Sequence, residues 1–321
     1  MNSIDELRTL VEQELLNLKY PKNPSDLYEP IEYILSLGGK RMRPILLLLA
    51  YQLYQKDLQK ALKPSIAIEL FHNFTLLHDD IMDKAPFRRG QSTVHSKWNE
   101  NVAILSGDAM LIQSYQCLCN LPPKLLSQCL EIFNETAIQV CEGQQYDMDF
   151  EIQAEVELNS YLKMIEYKTA VLLGASLKIG AIIGGASAKD AHELYEFGRH
   201  IGIAFQLKDD LLDVFGDTNT FGKQIGGDII SNKKTCLYLK ALSISESSQK
   251  MELVNLYSSE EINPTEKVQK VKEIYTELGI ESHVQMLIKD YYQKALSNLE
   301  TIKKDISQLQ NFAELLNTRE S

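Results

Sequence analysis

An all-α fold follows from three features of the sequence. Apolar residues recur at helical spacing through nearly the whole chain, with almost none of the alternation that marks strands. Proline and glycine punctuate the places where those stretches stop. No segment rich in glycine, serine or proline divides the 321 residues, so a single domain, 1–321, is expected.

The first helix is predicted over 3–18, an amphipathic run with acidic residues. Pro21 and Pro24 separate it from a second over 26–37, which Gly38-Gly39 ends. Helices over 43–56 and 63–83 follow, with Pro44 and Pro64 near their starts, where a missing N–H costs nothing. Pro86 lies beyond the second of these. Helices over 98–119 and 124–150 are parted by Pro122-Pro123, and helices over 157–184 and 188–215 by Gly184-Gly185. The rest reads as helices over 232–243, 248–258, 263–278 and 280–316, with Pro264 near a start. Several are apolar on more than one face, as helices in the middle of a bundle are. The segment Gly216 to Asp228, GDTNTFGKQIGGD, carries four glycines and reads as a mobile flap.

The net charge of −11 argues against nucleic-acid binding, which needs a basic footprint. The N-terminus lacks the basic region and apolar core of a secretory signal. No apolar run approaches the ~20 residues that span a bilayer; Ile45 to Ala50 is the longest. Cys117, Cys119, Cys129, Cys141 and Cys236 are odd in number, scattered and without metal-site spacing. They read as reduced thiols of a cytoplasmic protein.

Chemistry concentrates in LLHDDIMDKAPFRR, Leu76 to Arg89. On a helix, Asp79 and Asp83 share a face one turn apart, a repulsive pair unless a cation sits between them. Carboxylate oxygens suit Mg2+, which is usually held by one or two carboxylates plus substrate phosphates. Arg88 and Arg89 offer forked donors for phosphate oxygens. The spacing recurs in FQLKDDLLDVFGD, Phe205 to Asp217, with Asp209, Asp210 and Asp213. Two such motifs point to metal ions gripping a diphosphate. His72 lies about two turns before Asp79, on the same face.

Eight blocks, in order, resemble the trans-isoprenyl diphosphate synthases, or polyprenyl synthetases: GGKRMRP (38–44), ELFHNFTLLHDDIMD (69–83), RRGQSTVH (88–95), Gly107-Asp108, EGQQYDMDF (142–150), YKTAVLL (167–173), FQLKDDLLDVFGD, and GKQIGGDIISNKKT (222–235). The last ~80 residues carry little motif. The resemblance implies a bundle of about 10–13 helices around a deep central cavity. It implies condensation of isopentenyl diphosphate with an allylic diphosphate (dimethylallyl, geranyl or farnesyl) by ionisation, condensation and elimination. By resemblance, Asp79 and Asp83 are ligands of two Mg2+ ions and Asp209 of a third. Asp80, Asp210 and Asp213 support them or reach the metal through water, Asp213 being counted with the metal residues. Arg88, Lys168, Lys223 and Lys233 resemble the clamp on the allylic diphosphate. Lys40, Arg43, His72 and Arg89 resemble the isopentenyl diphosphate site. Thr169 and Gln206 resemble the groups whose oxygens face the allylic carbon as charge develops. The catalytic set is then Asp79, Asp83, Asp209, Lys168 and Arg88. A homodimer is also implied, with the apolar stretch Val102 to Cys119 as its face.

Product length in this family is set by bulky residues upstream of the first motif. Here Phe74 is five residues before Asp79, Thr75 four, and Phe71 eight, about 12 Å down the helix. An aromatic at the fifth position, with no insertion in the motif, resembles geranylgeranyl (C20) diphosphate synthases. A farnesyl (C15) product stays open. So do other classes: a terpene cyclase, though its second motif is normally of another type; a metal phosphohydrolase, suggested by His78-Asp79; and a non-catalytic partner subunit, though all six aspartates are present.

Overall fold

The computed structural model describes residues 2–216, 226–259 and 262–318. Lys223 and most of the glycine-rich segment lie outside the described residues. Among those described, the only strands are a two-residue pair, so the fold is all-α. The chain forms two compact units, Met1–Phe133 with Ser176–His192, and Asn134–Ala175 with Glu193–Ser321.

The first unit opens with α1 (Ile4–Leu16), α2 (Ser25–Ser36), α3 (Met42–Gln52) and α4 (Gln59–Met82). Ser3 and Glu6 form a reciprocal capping box at the start of α1. Every residue of α3 from Pro44 to Gln52 is buried, as expected of a helix apolar on all faces. A hairpin, β1 (Phe87–Arg88) and β2 (Gln91–Ser92), precedes α5 (Val94–Lys97) and α6 (Glu100–Leu118). Arg89 and Gly90 turn that hairpin with φ of 53° and 74°, the left-handed pair of a tight two-residue turn. α4 packs against both α3 and α6.

Three helices contribute to both units: α7 (Pro123–Ile152), α9 (Val171–Gly184) and α10 (Ala188–Phe215). The second unit adds α8 (Leu158–Ile165), α11 (Gly227–Ile230), α12 (Cys236–Ile244), α13 (Ser247–Ser258), α14 (Pro264–Glu277), α15 (Ile280–Glu300) and α16 (Ser307–Thr318). Its core includes Leu207, Leu237, Val271, Tyr275 and Ile280, all fully buried. All five cysteines are free thiols.

Three expectations are corrected. The helix predicted over 157–184 contains a π-helical turn, Glu166–Ala170, between α8 and α9. The helix predicted over 280–316 is two helices. Ile302 is buried in the break, and Asp305 Oδ1 accepts the Ser307 N–H at 3.1 Å to start α16. The helical stretch Leu158–Gly184 is, at 27 residues, long and apolar enough to cross a membrane; 72% of its apolar window is buried inside the protein. Lys163 and Lys168 interrupt its apolar run, which is why a search for uninterrupted runs misses it.

Candidate active site

α4 ends at the first motif. Asp79 and Asp80 sit in its last turn and Asp83 caps it. A helix C-terminus carries partial negative charge, so three carboxylates there create a strongly negative point. The hairpin answers it. Arg88, in β1, donates from Nε to both oxygens of Asp80 at 2.9 Å, and its Nη2 lies 2.7 Å from Oδ1. The same guanidinium is 3.7 Å from Asp79. Asp80 is buried, Asp79 half-buried and Asp83 exposed.

Arg89, at the turn, points elsewhere and donates to the Gly38 carbonyl. A Cβ on Gly39 would stand 3.0 Å from its guanidinium, so the glycine makes room for the arginine. Lys40 is exposed beside this contact. Arg43 Nη1 donates to His72 Nε2 at 3.0 Å. An arginine only donates, so Nε2 accepts and the neutral ring carries its proton on Nδ1. Burial, followed by Arg43, Arg89, Arg88 and Arg41, holds His72 well below its usual range. Burial lowers Arg43 to about 10, against the pull of Glu69. The structure thus brings Arg43, His72, Arg89 and the Gly39–Lys40 loop together.

Behind them lies a pair the sequence does not single out. Arg41 is 3% exposed and adopts φ 48°. It donates to Glu12 at 2.8 Å, to Glu69 at 2.7 Å and to the Leu35 carbonyl at 2.7 Å. Asn73 also donates to Glu69 Oε1, at 3.0 Å. On the same helix as His72, aromatic rings gather: the Phe74 ring is 4.7 Å from that of His78 and 5.7 Å from that of Phe71, which in turn meets Phe133 at 5.1 Å. Tyr115 meets Phe133 at 5.1 Å. Thr75 directs its hydroxyl to the His72 carbonyl at 2.8 Å. Phe133 and Tyr115 come from α7 and α6, and no local pattern marks them.

In the second unit, a cavity of about 120 Å3 is lined by Lys168, Thr169, Gln206, Asp210, Asp228 and Lys233, among others. The π-helical turn presents Lys168 and Thr169 to it. Lys168 Nζ donates to Asp147 at 2.6 Å. Thr169 donates to Gln206 Oε1 at 3.4 Å, and Gln206 Nε2 to Asp210 Oδ1 at 3.4 Å. The Tyr161 hydroxyl donates to Asp210 Oδ2. Burial, then Asp228, pushes the Asp210 carboxyl well above the usual range. Burial, then Asp210, holds the Tyr161 phenol well above its own. Asp213 accepts the Asp228 N–H at 3.0 Å, and its carbonyl accepts the Gly226 N–H at 2.6 Å. It therefore receives the chain as it returns from the glycine-rich segment. Asp209 is half-buried on the same helix, and Lys233 is exposed. Asp147 and Tyr161 are functional candidates that sequence reasoning missed; Asp147 lies inside the block EGQQYDMDF. A larger cavity, about 890 Å3, lies along α10, α15 and α16, lined by Lys208, Leu211, Phe215, Ile288 and Tyr292. None of the residues assigned a catalytic, binding or metal role above lines it.

Among the described residues no three His, Cys, Asp or Glu side chains form a ready-made metal cage. The donors at both motifs are carboxylate oxygens, the chemistry of a hard cation that completes its shell with water and phosphate. The residues present fit Mg2+ bound together with a diphosphate.

Residues 24–278 match the family model for polyprenyl synthetases. The geranylgeranyl diphosphate synthase of Methanosarcina mazei is 36% identical over 309 residues, covering 94% of this chain and 93% of its own. A crystal structure of a geranylgeranyl pyrophosphate synthase superposes with TM-score 0.95 at 43% identity, over 100% of both chains. The geranylgeranyl pyrophosphate synthetase of Pyrococcus horikoshii superposes with TM-score 0.92 at 32% identity, over 99% of this chain and 97% of its own.

Proposed function

Because this chain belongs to the polyprenyl synthetase family, we propose that it condenses isopentenyl diphosphate with an allylic diphosphate and releases geranylgeranyl diphosphate. The observation that carries this reading is the chain-long likeness to geranylgeranyl diphosphate synthases. The family match runs through both units and supports taking them as one catalytic domain.

The residues divide by task. Arg43, Arg89, Lys40 and the Nδ1–H of neutral His72 bind the isopentenyl diphosphate headgroup as a cluster of donors. Arg88, Lys168 and Lys233, with Lys223 by resemblance, clamp the allylic diphosphate. Arg88 leaves Asp80 in part as it does so, exchanging a carboxylate for phosphate oxygens. Asp79, Asp83, Asp209 and Asp213 hold Mg2+, three ions by resemblance. When bound, Mg2+ neutralises charge that builds on the departing diphosphate.

The C1–O bond of the allylic substrate breaks and its electron pair leaves with the diphosphate. The double bond of isopentenyl diphosphate attacks C1, and a proton is lost to the departed diphosphate. Thr169 Oγ1 and Gln206 Oε1 supply oxygen lone pairs near the positive carbon. The aromatic cluster of Phe71, Phe74 and Phe133 supports a floor that stops the chain at C20. Exposed Ile104, Leu105 and Ile112 on α6 support a homodimer through that helix. The free cysteines and the diphosphate substrates support a cytoplasmic enzyme.

The test is incubation of the pure protein and Mg2+ with labelled isopentenyl diphosphate and dimethylallyl, geranyl or farnesyl diphosphate in turn. A C20 diphosphate is expected. A C15 end product would reassign the length, a hydrocarbon or free alcohol would mean a cyclase, and phosphate release alone a hydrolase.

A further inference from the structure

A single chain of hydrogen bonds in the second unit has a fixed direction. Tyr161 O–H donates to Asp210 Oδ2, and Gln206 Nε2–H donates to Asp210 Oδ1 at 3.4 Å. Thr169 O–H donates to Gln206 Oε1 at 3.4 Å. An amide has a donor end and an acceptor end, and Asp210 Oδ1 receives the donor end of Gln206. Once Asp210 takes the Nε2 end, Oε1 must face Thr169. The threonine has one proton and gives it to Oε1. The lone pairs of Thr169 Oγ1, and the second lone pair of Gln206 Oε1, are then left to accept.

Tyr161 is the outermost member of this chain. It comes from α8, is 4% exposed, and lies seven residues before Lys168. Its ring packs in the core while its hydroxyl reaches a carboxylate that is itself 4% exposed. A buried carboxylate that loses a donor is free to seek another, and Gln206 is its neighbour. We propose that Tyr161 is a positioning residue for the allylic pocket: by holding Asp210 it fixes the orientation of Gln206, and so the direction of the Thr169 hydroxyl. This rests on the reading above that Thr169 and Gln206 face the reacting carbon.

The experiment is a double-mutant cycle on the full-length enzyme with Mg2+, dimethylallyl diphosphate and isopentenyl diphosphate. Tyr161→Phe is expected to lower kcat about tenfold while both KM values stay within about twofold, because charge stabilisation in the transition state weakens and substrate binding does not. In a Gln206→Ala background the same substitution is expected to change kcat by less than about twofold, since the residue it acts through is gone. Tyr257→Phe is the control. Tyr257 is a buried tyrosine of the same unit whose hydroxyl meets Tyr275 at 3.0 Å, and its loss is expected to leave kcat unchanged. Should Tyr161→Phe fail to fold, Asp210→Asn replaces it in the cycle, with the same expected coupling to Gln206. An equal fall of kcat in both backgrounds, or an equal fall in the control, would overturn the proposal. If Gln206→Ala alone keeps full kcat, the assignment of Gln206 to the reacting carbon fails, and the positioning role fails with it.

Discussion

Gly143 tests how the π-helical turn is held. It lies in α7, in the block EGQQYDMDF. A Cβ added there would stand 2.2 Å from the Lys168 backbone nitrogen, 2.7 Å from its Cα and 2.7 Å from the Tyr167 carbonyl carbon. All three are backbone atoms, so no side-chain rotation relieves the clash. Restoring ordinary contact needs a shift of about 1 Å in the π-helical turn or in α7. Overpacking of this kind costs about 1–3 kcal/mol. Alanine's better helix propensity offsets about 1 kcal/mol of it. For Gly143→Ala the net loss is therefore about 0–2 kcal/mol, which lowers Tm by up to about 3 °C in a chain of this size. Turnover should suffer more. Lys168 and Thr169 ride on the displaced turn, and an error of about 1 Å in a positioning group can cost up to about 100-fold. Scanning calorimetry and initial rates of labelled isopentenyl diphosphate incorporation measure the two effects. A variant with raised Tm and unchanged kcat and KM would refute the reasoning, because it would mean that α7 does not constrain the turn.

Phe74→Ala removes one ring from the cluster around Phe71 and His78. Products are expected to lengthen by at least one C5 unit on reversed-phase chromatography; an unchanged C20 distribution would take Phe74 out of the floor. Asp79→Ala and Asp209→Ala are each expected to reduce turnover about 100-fold or more at saturating Mg2+. Near-normal rates in either would remove that residue from the metal set. His72 gives a pH signature. Its folded pKa is depressed, so between that value and the usual ~6.5 the unfolded chain binds a proton that the folded one does not. Its contribution to stability is present above ~6.5 and is lost as pH falls toward the folded value. His72→Asn should therefore flatten the fall in Tm between about pH 7 and pH 5, measured against the parent protein; an identical slope would show that His72 does not titrate this way.

The all-α architecture and the placement of both acidic motifs were legible because they rest on local patterns. Apolar periodicity runs up to Met82 and Phe215, where α4 and α10 end. The cationic set of Arg43, His72 and Arg89 was legible from the resemblance alone, since their meeting depends on a hairpin too short to leave a strand signal. The π-helical turn was hidden for a different reason. Its own sequence, EYKTA, continues a helical pattern, while the glycines packed against it are distant: Gly143 in α7, and Gly202 in α10, whose Cβ would be 2.7 Å from Ala170 Cα. The break at 301–306 had only the Asp305-Ile306-Ser307 start signal, with neither glycine nor proline to mark it. Phe133 and Tyr115 join the rings near Phe74 through tertiary packing that no window of residues records.

Arg41 changes how loss-of-function data on GGKRMRP should be interpreted. Its neighbours Lys40 and Arg43 are the ones proposed to bind the headgroup, while its own guanidinium faces inward and neutralises Glu69. Replacing Arg41 strands an acid in the interior, an error of about 3–5 kcal/mol. In a survey scored by growth or crude activity it would look as indispensable as Arg43. Soluble yield is expected to tell the two apart: little intact enzyme without Arg41, whereas a protein lacking only Arg43 is expected in normal amounts with a raised KM for isopentenyl diphosphate.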